Sequence, residues 1–233
     1  MRLAHAALLG FTFSFGIFGQ TAPLVSLAGQ PLSADEVIER NPAPNVRNVL
    51  PMQTTRVYRD SAGRTRTDVS IPTSPAFNPF VVIYDPVEGV QYSLDTKKKI
   101  ARRFFIPGPP QGQPLSTPGP STATPVFISS YCKFGPPCPV TSSESLGTQV
   151  INGIATEGER VTTTSPATSR QAAWKAVIES WRSPELRIIL LEKESNVMGD
   201  STTRLENINR AEPDPLLFRI PSDYTIVDQE ASR

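Results

Sequence analysis

Beyond residue 50 the chain alternates apolar and polar positions with period two, in short runs separated by turn residues. This is the mark of strands wet on one face. Residues 56–59 and 64–69 flank Asp60-Ser61-Ala62-Gly63, where Asp opens and Gly closes a hairpin turn. Residues 80–84 and 90–94 flank Asp85-Pro86-Val87-Glu88-Gly89, and Asp95-Thr96-Lys97 turns the chain into residues 100–105. Residues 146–151 and 154–164 flank Asn152-Gly153, the strongest short hairpin signal of the chain. Further strands are expected over 174–181, 187–191, 202–208 and 224–227, with one helical turn opened by Pro215. The pattern predicts a mainly β protein built as an antiparallel meander with little helix.

Three stretches depart from that rhythm. Ten of the 24 prolines fall between Pro107 and Pro139, too many for a ladder or a helix, so residues 106–145 read as a Pro-rich irregular insertion. Near the start, Ser33 and Glu36 have capping-box spacing, but Pro42 and Pro44 cut a helix short, and a strand through Val37-Ile38 is favoured. Residues 188–191 are apolar on both faces, which requires cover on both sides of the sheet or an apolar cavity on one.

Residues 3–19 form an apolar run behind Arg2, shorter and more broken than a bilayer span and followed by small residues. This reads as a signal peptide over residues 1–28, cleaved after Ala28, which makes the protein periplasmic or secreted with no transmembrane span in the mature chain. The only histidine, His5, leaves with it. A mature chain without imidazole has no Ser-His-Asp or Cys-His pair and no His-ligated metal, so no catalytic residue, metal or cofactor is expected. Acidic and basic groups balance in the remaining 205 residues, which gives no field to gather nucleic acid. Cys132 and Cys138 are spaced for a disulfide in an exported protein, closing a loop worth roughly 2.4 kcal/mol in the chain-entropy model.

Charged clusters read as solvated surface. Lys97-Lys98-Lys99 with Arg102-Arg103 suit a turn and strand edge, and Arg56, Arg59, Arg64 and Arg66 suit pairing with Asp60, Asp68 and neighbouring carboxylates. Glu157 with Glu159, and Glu192 with Glu194, share strand faces without a cleft motif. Apolar stripes are the better binding candidates. Val82 with Tyr84, Val90 with Tyr92 and Leu94, and Trp174 with Ile178 each share a face of one strand, and Ile188 and Leu190 lie in the doubly apolar run. These nine residues either line an apolar hollow or fill a core.

The closing third carries a resemblance. Residues 202–208, then Pro213-Asp214-Pro215 with Leu217-Phe218, then Ile220-Pro221-Ser222-Asp223-Tyr224 and Val227 resemble the last strand, the D-P-x-L-F turn and the ending of LolA/LolB-type proteins. Residues 58–66 and 85–95, Leu146-Gly147-Thr148, and Ile151-Asn152-Gly153 with Ala155, Glu157 and Gly158 resemble a group of exported bacterial proteins of this type. The resemblance implies a half-open, incomplete β-barrel with an apolar concave face. Carriers of the family hold lipoprotein acyl chains there, and the RseB-like branch senses lipids or partners. Unlike the carriers, this sequence has no clear plug helices, and it adds the Pro-rich insertion. The expected organisation is residues 29–105 and 146–228 as two halves of one β domain, residues 106–145 as insertion, and 229–233 as tail. The expected function is non-enzymatic binding of a lipid or acyl chain. The alternative is an envelope structural or regulatory protein with a filled half-barrel and a partner-docking insertion.

Overall fold

The computed structural model describes residues 28, 30–47, 52–69, 78–106, 127–128, 138–168 and 172–229. Residues 1–27 of the expected signal peptide, Cys132 and most of the Pro-rich insertion lie outside the described residues. Among the described residues thirteen strands form one sheet. They are β1 (Leu32–Pro42), β2 (Met52–Arg59), β3 (Thr65–Val69), β4 (Phe80–Asp85), β5 (Val90–Asp95), β6 (Ile100–Phe105), β7 (Phe127–Ile128), β8 (Val140–Ile151), β9 (Ile154–Ser165), β10 (Trp174–Ser183), β11 (Ile188–Asn196), β12 (Gly199–Asn209) and β13 (Thr225–Gln229). Their order is β13-β6-β5-β4-β3-β2-β1-β12-β11-β10-β9-β8-β7. Two meanders, β1 to β6 and β7 to β12, meet where β1 pairs with β12, and the two outer strands do not pair with each other.

Chain order hides three features of this layout. The first strand lies mid-sheet between β2 and β12, and Leu32, Ser33, Ala34, Glu36, Val37 and Ile38 are all buried, whichever face they occupy. The stretch with capping-box spacing is thus strand. The last strand departs from the expected antiparallel meander: β13 pairs with β6 in parallel. It gets there by a crossover, residues 210–224, that runs from mid-sheet to the far edge. The second meander opens inside the segment read as irregular, with β7 and the start of β8 at Val140.

The sheet curls, and its packing shows which way. Leu32 and Ala34 of β1, Val57 of β2, Leu205 of β12, Ile188 and Leu190 of β11, Ile154 of β9, and Leu186 in the turn between β10 and β11 form one buried cluster. Strands so far apart in a sheet touch only if it rolls about that face. The tips of two hairpins complete the roll. Asn152 Nδ2 at the β8–β9 tip donates to the Leu205 carbonyl at 2.9 Å. Arg59, fully buried on β2, donates from Nη2 to the Leu186 carbonyl at 2.9 Å and from Nε to that of Gln30 at 2.7 Å. Asn152 stands at φ 50°, a left-handed conformation that Asn tolerates, and Gly153 at 77° completes the turn. The face carrying its β1, β2 and β12 members is the inner face, and the cluster closes one end of it.

A second cluster, Val81, Ile83, Leu94 and Ala101, belongs to the outer face of β4–β6 and packs against Tyr92, Ile220 and Tyr224. Its cover is the crossover. Asp214 caps the 3-10 turn Pro215–Phe218 by accepting from the Leu216 amide at 2.9 Å. Arg66 reaches the Leu217 carbonyl at 2.8 Å, and Lys99 pairs with Asp223 at 3.1 Å while lying over the Tyr224 ring. Beside this patch the outer face of β1, β2 and β12 is polar, with Arg56 on Asp35 at 3.0 Å and Arg204 on both Glu39 and Glu206. Such half-exposed pairs stabilise by about 0–1 kcal/mol each.

Candidate functional site

Strand register sorts every side chain onto the inner or the outer face. One inner row runs Phe80–Val69–Thr55–Glu36–Leu205 across β4, β3, β2, β1 and β12. A second runs Tyr84–Thr65–Arg59–Leu32, and between them lies Val82–Thr67–Val57–Ala34. On the other side of β1 the inner rows continue as Ile38–Thr203–Glu192–Ser180 and Arg40–Ser201–Glu194–Ile178–Val161.

The nine apolar candidates divide three ways. Val82 and Tyr84 lie on the inner face and are half-buried. Trp174 and Ile178 share that face on β10; Trp174 is half-buried and Ile178 exposed. Trp174 also lines an open hollow of about 470 Å³ with Thr164, Ser165, Pro166, Ala173 and Lys175. Val90, Tyr92 and Leu94 face the other way, because Tyr92 is opposite Ile83 and Leu94 opposite Val81. Val90 and Leu94 are buried, and Tyr92 packs on the outer cluster. Ile188 and Leu190 are buried in the cluster that closes the inner end. Four of the nine thus keep part of their inner-face surface open to solvent, and five hold the fold together. The doubly apolar run at Ile188 is core.

Charged side chains add a feature absent from the candidates. Glu36 stands on the inner face between Ala34 and Ile38 along the strand, with Thr55 and Leu205 opposite it on the two neighbouring strands. It is 6% exposed, and its Oε2 has no hydrogen-bond partner. Burial pushes its carboxyl up to about 7; the positive charge of Arg40 opposes this and the negative charge of Glu192 adds to it. Glu192, in the adjoining inner row, is itself raised by burial and by Glu194, with Arg182 opposing. The Glu192–Glu194 pair, read from sequence as solvated, therefore belongs to the inner face. Glu157 and Glu159 are exposed. The signal for Glu36 was a carboxylate at the inward position of an otherwise apolar alternation, Leu32, Ala34, Ile38.

The other charges behave as surface and turn groups, with one exception. Asp60 is buried and accepts from the Arg64 amide at 2.8 Å and Nε at 2.6 Å, which ties the β2–β3 hairpin. Arg66 pairs with Asp68 at 2.6 Å and Arg103 with Asp228 at 2.7 Å. The exception is Arg59, expected beside a carboxylate, which meets backbone carbonyls in the closed end; desolvation draws it down to about 10. Among the described residues no group of three His, Cys, Asp or Glu side chains is placed to hold a metal ion, and no helix is long and apolar enough to cross a membrane.

No family model matches the sequence, and no curated protein matches it. Solved structures similar in shape include the lipoprotein LppX of Mycobacterium tuberculosis, 12% identical over 78% of this chain and 88% of that one with a TM-score of 0.32. LprF from Mycobacterium bovis is 13% identical over 80% and 90%, at 0.33. A LolA superfamily protein from Nitrosomonas europaea is 7% identical over 84% and 92%, at 0.36. What the chain binds has to be argued from its own residues.

Proposed function

We propose that the protein is an exported, non-catalytic binding protein that holds a lipid or acyl chain against its inner face, in the periplasm or outside the cell. One observation carries the reading. The residues that hold the fold together are spent on the outer patch and the closed end, and the rest of the inner face still presents half-buried Val69, Phe80, Val82, Tyr84, Val161 and Trp174. An apolar chain laid along such a surface gains about 25 cal/mol per Å² of area removed from water, or about 0.8 kcal/mol per methylene. The signal peptide and the Cys132–Cys138 cross-link belong to the same proposal and fit an envelope protein.

The test is native mass spectrometry and lipid extraction of protein purified after export, together with titration of a fluorescent acyl probe. Co-purified lipid or micromolar probe binding supports the reading. Delipidated and untreated samples of equal mass, with no probe binding, would refute it in favour of a filled half-barrel that docks an envelope partner.

A further inference from the structure

We infer that Glu36 reads a hydrogen-bond donor on the ligand: the inner face takes an amphipathic lipid whose hydroxyl or amide N–H meets the Glu36 carboxyl while its chain lies along the apolar row of Val69 and Phe80. This rests on the proposed function and narrows it to a class of lipid. Three observations converge. The position is central, in the strand that joins the two meanders, and a Val or Leu there would continue the pattern of Leu32, Ala34 and Ile38. The carboxyl is buried yet leaves Oε2 without a donor, although Thr55 stands opposite; the Thr55 hydroxyl accepts from Gln53 Nε2 at 3.3 Å. Buried acceptors are almost always met, and those that are not call for a partner supplied by water, ion or ligand. Finally, beyond Thr55 on one side of Glu36 the row is apolar, Val69 and Phe80, while on the other side, past Leu205, the adjoining inner rows carry polar Thr203, Ser201, Glu192 and Glu194. That is the profile of a chain-and-headgroup ligand.

The surrounding charges select the donor's kind. Glu36, Glu192 and Glu194 disfavour an anionic head, so a fatty-acid carboxylate is a poor fit. Arg40 acts on Glu36, and Arg182 on Glu192, so positive charge is already present for the acids and a cationic head gains less. A neutral donor fits best: a hydroxyl or an amide N–H within a few bonds of the chain, as in monoacylglycerols or N-acyl amides. A hydrogen bond to a carboxylate is stronger than one between neutral groups, so a ligand that makes it should bind at least about tenfold tighter than its donor-free counterpart.

The experiment compares monopalmitoylglycerol, methyl palmitate and palmitate by displacement of a neutral fluorescent acyl ester from the full exported protein at about pH 8, where carboxylates are ionised. Monopalmitoylglycerol should displace the probe at least about tenfold more effectively than either of the others, and Glu36→Leu should bring it level with methyl palmitate. Glu36→Gln, which keeps an acceptor oxygen and the side-chain shape, should reduce the preference several-fold and serves if the leucine variant does not fold. Equal displacement by monopalmitoylglycerol and methyl palmitate, or a preference that survives both substitutions, overturns the role of Glu36 and leaves lipid binding standing. Displacement by none of the three, with no probe bound at the outset, overturns the binding function and this inference with it.

Discussion

Glu36→Gln has a consequence for stability that can be worked out before any ligand is known. The unfolded chain gives up the Glu36 proton near 4.5, and burial in the folded state holds it to about 7. The folded state therefore binds more protons across this interval, and unfolding releases them. Stability attributable to this residue is highest below 4.5, falls as pH rises through the interval, and levels off above about 7. At roughly 1.4 kcal/mol per pH unit the full loss is about 3 kcal/mol. Asp35, Glu39, Asp95 and Asp228 are held below their ordinary values, so they act at more acidic pH and with the opposite sign. Glu192 acts in the same sense as Glu36 and remains in the variant. The single histidine is His5, so no other imidazole confuses the window. Urea denaturation followed by Trp174 and Trp181 fluorescence, at steps from about pH 5 to about pH 8, measures the slope. The wild type should lose stability toward the alkaline end, and Glu36→Gln should lose about 3 kcal/mol less over the same range. Parallel curves for the two proteins would refute the buried, proton-holding Glu36 described here.

Further substitutions test the division of labour between the faces. Leu94→Ala should cost about 2–5 kcal/mol of stability by opening a cavity in the outer cluster, with acyl-probe affinity unchanged in titration. Trp174→Ala should weaken probe binding by several-fold to about tenfold and leave the denaturation midpoint nearly in place, since the ring is only half-buried. At Gly158 an added Cβ would lie 2.6 to 2.8 Å from Trp181 ring atoms. Gly158→Val should therefore displace that indole, cost about 1–3 kcal/mol, and shift tryptophan emission to the red. Asp60→Ala removes both acceptors that hold the Arg64 end of the β2–β3 turn and should lower stability by about 2 kcal/mol in thermal denaturation.

The hairpins were legible because their signals are local. Asp60 to Gly63, Asp85 to Gly89 and Asn152-Gly153 each fix a turn through side-chain capping or a left-handed residue, and each turn lies where the sequence puts it. Pairings set by distant parts of the chain were not. Nothing near Leu32–Pro42 tells that its partner on one side is β12, 176 residues on by the Ser33–Asn209 pairing. The parallel pairing of β13 depends on where a long crossover lands, and its prolines say only that it is neither ladder nor helix. One further signal was present and can be drawn by arithmetic. Once Asp85 stands opposite Val90, Tyr84 must oppose Gln91 and Ile83 must oppose Tyr92. Apolar stripes on adjacent strands of one hairpin therefore point to opposite faces, and Val82 with Tyr84 cannot share a surface with Tyr92 and Leu94.

That opposition bears on what the inner face can hold. A curved sheet with both stripes inside would present continuous aliphatic surface, suited to bare hydrocarbon. Here the outward stripe is committed to the crossover, so β5 offers the inner face Gln91, Ser93 and Asp95, and β3 offers Thr65 and Thr67 beside Val69. The inner surface is thus apolar in patches, edged with hydroxyls and carboxyls that need hydrogen bonds. Hydrocarbon alone would leave those groups desolvated and unmet, at a cost of about 1–3 kcal/mol for each one buried without a partner. A ligand with polar groups spaced along or beside its chain avoids that cost. The chemistry of the surface therefore favours an amphipathic lipid over a bare acyl chain, independently of any single residue on it.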